Sequence, residues 1–115
     1  MKLICYDPHA RRPEIAAAMQ AFPNVTFAAP VTLAALQDEL KDAEILVTSN
    51  RAYDAEAARI ICQYGTHLRW VQFTTSGIDK AIALGLPSGA TVTNAAGLRA
   101  FSVAEHAFFL MLALM

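Results

Sequence analysis

Trp70-Val71-Gln72-Phe73-Thr74-Thr75-Ser76-Gly77-Ile78-Asp79 decides the fold. Its first four residues are aromatic, β-branched and apolar, a short run of the kind a buried strand requires. Thr74 to Gly77 are small and polar, a tight turn. Ile78 to Leu84 then follow with helical spacing and are closed by Gly85 and Pro87. Strand, small-residue turn and helix in that order make one βα unit, and the question is whether the flanking sequence repeats it.

It does on both sides. Upstream, Asp54 is placed to cap a helix whose apolar stripe is Ala57, Ile60, Ile61 and Tyr64, with Gly65 at its end. Ile45-Leu46-Val47-Thr48 precedes it as a strand. Before that come a helix marked by Leu33, Leu36 and Leu40 and capped by Thr32, and a brief strand at Val25-Thr26-Phe27. Earlier still, Pro13 opens a helix with the stripe Ile15, Ala18, Met19 and Phe22, behind a first strand at Leu3 to Tyr6. Downstream, Thr91-Val92-Thr93 is a fifth strand. After a loop from Asn94 to Ala100, Ser102 and Glu105 have the spacing of a capping box opening a last helix. Strands alternating with helices at this pitch predict an α/β fold. The expectation is a flavodoxin-like, doubly wound parallel sheet of about five strands in three αβα layers, with ligands at the carboxyl ends of the strands. No repeat or low-complexity linker divides residues 1–115, so they are read as one domain.

Composition narrows the function classes. Nine basic and ten acidic residues give a formal charge of −1, with no basic patch on which a nucleic-acid surface could be built. Hydrophobic residues make up 56% and charged ones 17%, which is apolar for a soluble domain and points to apolar surface meant for a partner. The longest apolar stretch, Ala107 to Met115, falls short of the ~20 residues of a membrane helix, so no membrane role is expected. Cys5 and Cys62 lie far apart, without a CxxC partner or a histidine at metal spacing. Buried thiols in a reducing cytoplasm are the expectation, with no metal.

Function is sought at the strand ends: Asp7-Pro8-His9, Thr48 to Arg51, Thr74 to Gly77, and Asn94 to Ser102. A turn such as Thr75-Ser76-Gly77 can aim consecutive backbone N–H groups at a carboxylate; equally, Gly77 could serve only the geometry of the turn. Arg51 could clamp a carboxylate through two parallel bonds, or be a solvated loop residue. Glu105 and His106 are adjacent on a helix and point about 100° apart, so they are not an acid–base pair; His106 is read as structural. The glycines at 65, 77, 85, 89 and 97 fit neither G-x-G-x-x-G nor the P-loop, and no Ser–His–acid order suggests a triad. A receiver-type phosphorelay module is discarded, because Thr48-Ser49-Asn50 replaces the phosphoacceptor aspartate.

Four segments then bear on a family. Leu68 to Gln72, Thr75-Ser76-Gly77-Ile78-Asp79, Val92-Thr93-Asn94-Ala95-Ala96-Gly97 and Ser102-Val103-Ala104-Glu105-His106-Ala107, in this order, closely resemble the D-isomer-specific 2-hydroxyacid dehydrogenases. The resemblance implies an NAD(P)-dependent oxidoreductase that interconverts a D-2-hydroxy acid and a 2-oxo acid. Such enzymes have two domains, and residues 1–115 correspond to the N-terminal part of the substrate-binding domain. The resemblance implies that Ser76, Gly77 and Ile78 offer backbone N–H groups to the substrate carboxylate. It places Arg51 on the pocket border and Val103 against the nicotinamide end of the cofactor. The Rossmann cofactor domain, its glycine fingerprint and the family's catalytic Arg, Glu and His have no counterpart here. No catalytic residue is therefore assigned, and NAD or NADP is expected only in a full-length protein, with none bound by this chain alone.

The sequence ends at Leu112-Ala113-Leu114-Met115 within a helical pattern, which suggests truncation after the interdomain helix. An inactive enzyme fragment is the leading expectation; the alternative is a stand-alone, non-catalytic carboxylate-binding or assembly module. The last helix is apolar nearly all round, so self-association through it is expected.

Overall fold

The computed structural model describes residues 1–9 and 13–115. Among them, β1 (Lys2–Tyr6), β2 (Thr26–Ala28), β3 (Ile45–Thr48), β4 (Trp70–Phe73) and β5 (Thr91–Thr93) alternate with helices. These are α1 (Pro13–Met19), α2 (Leu33–Leu40), α3 (Ala55–Tyr64), α4 (Asp79–Leu84) and α5 (Ala100–Ala113). The sheet is parallel throughout, in the order β2-β1-β3-β4-β5. This is the flavodoxin-like order, with its reversal between β1 and β3. No helix among the described residues is long and apolar enough to cross a membrane.

Register divides the sheet into two unlike faces. Ile4, Leu46, Val71 and Val92 form one cross-strand row, and Tyr6, Thr48 and Phe73 the next. All except the half-buried Val92 are buried. They meet Leu36 and Leu40 of α2 and Ala57, Ile60 and Ile61 of α3 in the core. The alternate rows, Leu3–Ile45–Trp70 and Cys5–Val47–Gln72, are mostly half-buried, and Trp70 is 42% exposed. Right-handed crossovers explain the asymmetry. Three connections run one way along the sheet and lay α2, α3 and α4 side by side on one face, whereas only β1 to β2 runs the other way. α1, which that connection carries, buries no residue.

Local signals explain most boundaries. Thr32 Oγ1 accepts the Ala35 N–H at 3.2 Å and Asp54 Oδ1 accepts the Ala57 N–H at 2.9 Å, as N-caps do. Three expectations need correction. α1 ends at Met19 rather than Phe22, and tighter turns through Gln20, Ala21 and Phe22 follow it; Phe22, left 54% exposed, has no buried face to hold the last helical turn before Pro23-Asn24. α5 begins at Ala100, with Arg99 at the cap position and no side-chain cap, so Ser102 lies inside the helix and the capping box is not formed. Cys5 is buried as expected, but Cys62 is exposed, because it lies off the stripe that α3 turns to the core.

Two features beneath α3 and α4 carry predictions. Tyr53 is fully buried, donates to the Gly85 carbonyl at 2.8 Å, and meets Phe73 edge-on at 5.5 Å between ring centroids. Burial, with a smaller contribution from Cys62, pushes its phenol far above the usual range, so it remains a neutral donor. Tyr53→Phe keeps the ring and leaves the Gly85 carbonyl only the weaker Cys62 Sγ donor at 3.8 Å. Its urea midpoint should fall by the equivalent of about 1–2 kcal/mol, and an unchanged midpoint would mean the bond contributes nothing.

Gly65 is required for space rather than for an unusual φ. An added Cβ would lie 2.5 Å from Leu68 Cδ1 and 2.6 Å from the Ile61 carbonyl oxygen. Leu68 is itself buried, so neither neighbour gives way freely. Gly65→Ala should cost about 1–3 kcal/mol, read from thermal unfolding, and full stability in that variant would contradict the crowding.

Candidate functional site

The turn after β4 is tied down on every side. Thr74 N–H extends the ladder to the Thr48 carbonyl at 2.8 Å. Thr75 Oγ1 accepts the Asn50 N–H at 3.1 Å and donates to the Gly77 carbonyl at 3.0 Å. Asn50 Oδ1 accepts the Ala81 N–H at 3.3 Å, so the loop after β3 is stapled to the start of α4. From the β5 side, Ala95 N–H reaches the Thr75 carbonyl at 3.1 Å, and Asn94 Nδ2 donates to the Ser76 carbonyl at 3.0 Å. Ser76 Oγ donates to the Ala95 carbonyl at 3.3 Å.

The turn's carbonyls are thus occupied, while its donors are not. No acceptor among the described residues takes the N–H of Thr75, Ser76, Gly77 or Ile78. Consecutive unpaired N–H groups in a rigid turn suit an anion, most simply a carboxylate. Beside them is a concavity of about 170 Å³ lined by Thr74, Thr75, Ser76, Ala95 and Arg99. Thr74 Oγ1 is buried and makes no hydrogen bond, a polar group left for a partner.

Gly77 separates the two explanations of this turn. Its φ lies outside the left-handed region, and a Cβ built on it meets nothing within 4 Å. The turn would form with another residue there. Glycine leaves open space at the Cβ position, next to the unpaired N–H groups in the chain.

The residues singled out in the sequence fall into three places. Ser76 lines the concavity, with Gly77 and Ile78 next to it in the same turn. Arg51 is exposed on the loop after β3, where its carbonyl accepts Lys80 Nζ at 3.4 Å; it does not line the concavity. Val103 is 63% exposed and lines a separate hollow of about 580 Å³ along α5, with Arg99, Ser102, His106, Ala107 and Leu110. His106 is exposed and forms no part of the core.

Three contributors carry no signal in the sequence that would single them out: Arg99, the one cation lining the concavity, and the bracing residues Asn50 and Asn94. Their loops are legible as strand ends, but nothing in the sequence shows which side chains turn inward. A larger hollow, about 640 Å³, lies at the amino ends of β3 to β5 between Met1, Glu44, Arg69 and Trp70. Its arginine already faces Glu44 at 3.7 Å, and no unpaired N–H groups converge there, so size alone does not select it.

An all-parallel five-stranded sheet in this order, alternating with helices, defines an α/β fold. Solved structures sharpen that class. A D-isomer specific 2-hydroxyacid dehydrogenase family protein from Aeromonas salmonicida subsp. salmonicida A449 superposes with a TM-score of 0.76 at 18% identity, over 99% of this chain and 35% of that one. The apo D-lactate dehydrogenase from Escherichia coli superposes with a TM-score of 0.60 at 17% identity, over 99% of this chain and 37% of that one. The chain therefore has a fold found in D-2-hydroxyacid dehydrogenases and spans about a third of their length. No protein-family model and no curated protein matches it.

Proposed function

We propose that this chain is the substrate-holding part of an NAD(P)-dependent D-2-hydroxyacid dehydrogenase, and that its turn Ser76-Gly77-Ile78 binds the carboxylate of a small 2-oxo or 2-hydroxy acid. The observation that carries this reading is the run of unpaired N–H groups from Thr75 to Ile78 beside the concavity at the carboxyl end of β4. The dehydrogenase fold and the sequence resemblance around the same turn support it.

The residues present do not form a site for a whole dinucleotide. No glycine spacing among positions 65, 77, 85, 89 and 97 makes a pyrophosphate cradle, so residues 1–115 do not by themselves position a hydride donor. Val103, on the exposed face of α5, is the residue proposed to meet the nicotinamide of a cofactor held by a second domain. In that arrangement the chain alone orients substrate and transfers nothing, and the whole enzyme works in the cytoplasm. Amide spectra of the chain titrated with pyruvate test the carboxylate reading. Ser76, Gly77 and Ile78 should shift together and saturate; no response there removes the proposed role.

The exposed face of α5 is also proposed to mediate self-association. Phe101 is 85% exposed and Leu112 53%, and none of the helix's residues is buried. A continuous apolar helix left in water associates with whatever apolar surface is available.

A further inference from the structure

Arg99 belongs to both hollows on this side of the molecule: it lines the concavity at the Ser76 turn and the groove along α5. No other cation lines either one, and Arg99 makes no ion pair or side-chain hydrogen bond among the described residues. The polar residues of α5 are Ser102, Glu105 and His106, and two of these, Ser102 and His106, line the groove with Arg99. Spacings of three and four residues put them on one helix face. A cation and two hydrogen-bonding side chains thus form a polar strip, unpartnered among the described residues, on a helix whose one other polar residue, Glu105, does not line the groove. It begins where the turn concavity ends.

A carboxylate offers about four lone-pair sites. The turn holds four unpaired N–H groups, from Thr75, Ser76, Gly77 and Ile78, which is enough for one carboxylate. The Arg99 guanidinium is then surplus to it. We infer that the substrate carries a second anionic group, held by Arg99 where the two hollows meet, so that the site prefers a dianionic 2-oxo acid. This rests on the carboxylate reading of the turn.

Two five-carbon 2-oxo acids test it, 2-oxoglutarate with two carboxylates and 2-oxopentanoate with one, titrated into the chain and into Arg99→Gln while amide shifts are followed. The diacid should bind the parent chain roughly five- to tenfold more tightly, the range of a charge-assisted pair open to solvent. Arg99→Gln should weaken 2-oxoglutarate roughly five- to tenfold more than 2-oxopentanoate and so erase that difference, and Arg99→Lys should restore part of it. Equal affinities in the parent chain, or a preference that survives in Arg99→Gln, would overturn the role of Arg99 while the turn stands. Silence of the Ser76 to Ile78 amides with both acids would overturn the turn and this inference together.

Discussion

Gly77→Val is expected to lose carboxylate binding by at least about tenfold, the scale of one or two charge-assisted hydrogen bonds, with the fold intact. The reason lies in what glycine does not do at this position. Its φ needs no glycine, and its Cβ site is empty to 4 Å. Adding a side chain therefore removes no native contact and strains no backbone. Gly77→Ala should leave stability unchanged or raise it by up to about 1 kcal/mol, through the lower entropy of the unfolded chain. The two measurements are an unfolding midpoint and the amide response to pyruvate. Wild-type affinity in Gly77→Val would show that the space over the turn is not where the ligand sits. A large loss of stability would instead restore the view that Gly77 serves turn geometry.

The second large effect is expected from removing α5 after Arg99. A deletion of helix that size ordinarily unfolds a small domain, because helices hold their place by burying a face. Here none of the residues of α5 is buried, and the core is built from β1, β3, β4, α2 and α3, with Ala81 of α4 and the loop residues Ala43, Ala52, Tyr53 and Leu68. The shortened chain should unfold within about 0.5 kcal/mol of the parent, the range of a surface change. Its association should differ sharply. Sedimentation of the full 115-residue chain should show concentration-dependent oligomers, and the shortened chain should remain a monomer. A parent chain that is monomeric at high concentration would refute self-association through α5. Cooperative destabilisation on deletion would show that α5 packs on the domain in solution.

The site itself was half legible. Ser76, Gly77 and Ile78 could be read from the sequence because a strand followed by a small-residue turn and a helix leaves few ways for the backbone to run. Arg51 follows a strand end and draws attention there, whereas Arg99 lies at the far end of the loop from Asn94 to Ala100 and carries no such signal. Arg51 sits near the β1–β3 reversal, whereas the concavity formed between the ends of β4 and β5, beside Arg99. No periodicity reports on that choice. It depends on which strands become neighbours and on the Asn50 and Asn94 bonds that fix the loops between them.

For the fold as a whole, local residue patterns dictate the order of strands and helices, the caps at Thr32 and Asp54, and the stripes of α2 and α3. Each of these depends on residues within one or two turns of one another. The start of α5 differs: Ser102 and Glu105 have the capping spacing, yet the cap position is three residues earlier, at Arg99. Sealing one sheet face and leaving the other with Trp70 exposed depends on long-range packing, because crossover direction is a property of the whole chain path. Long-range packing also leaves the donors from Thr75 to Ile78 unpaired. Pairing is settled by every acceptor within reach, and those acceptors come from β3 and β5, tens of residues away in the chain.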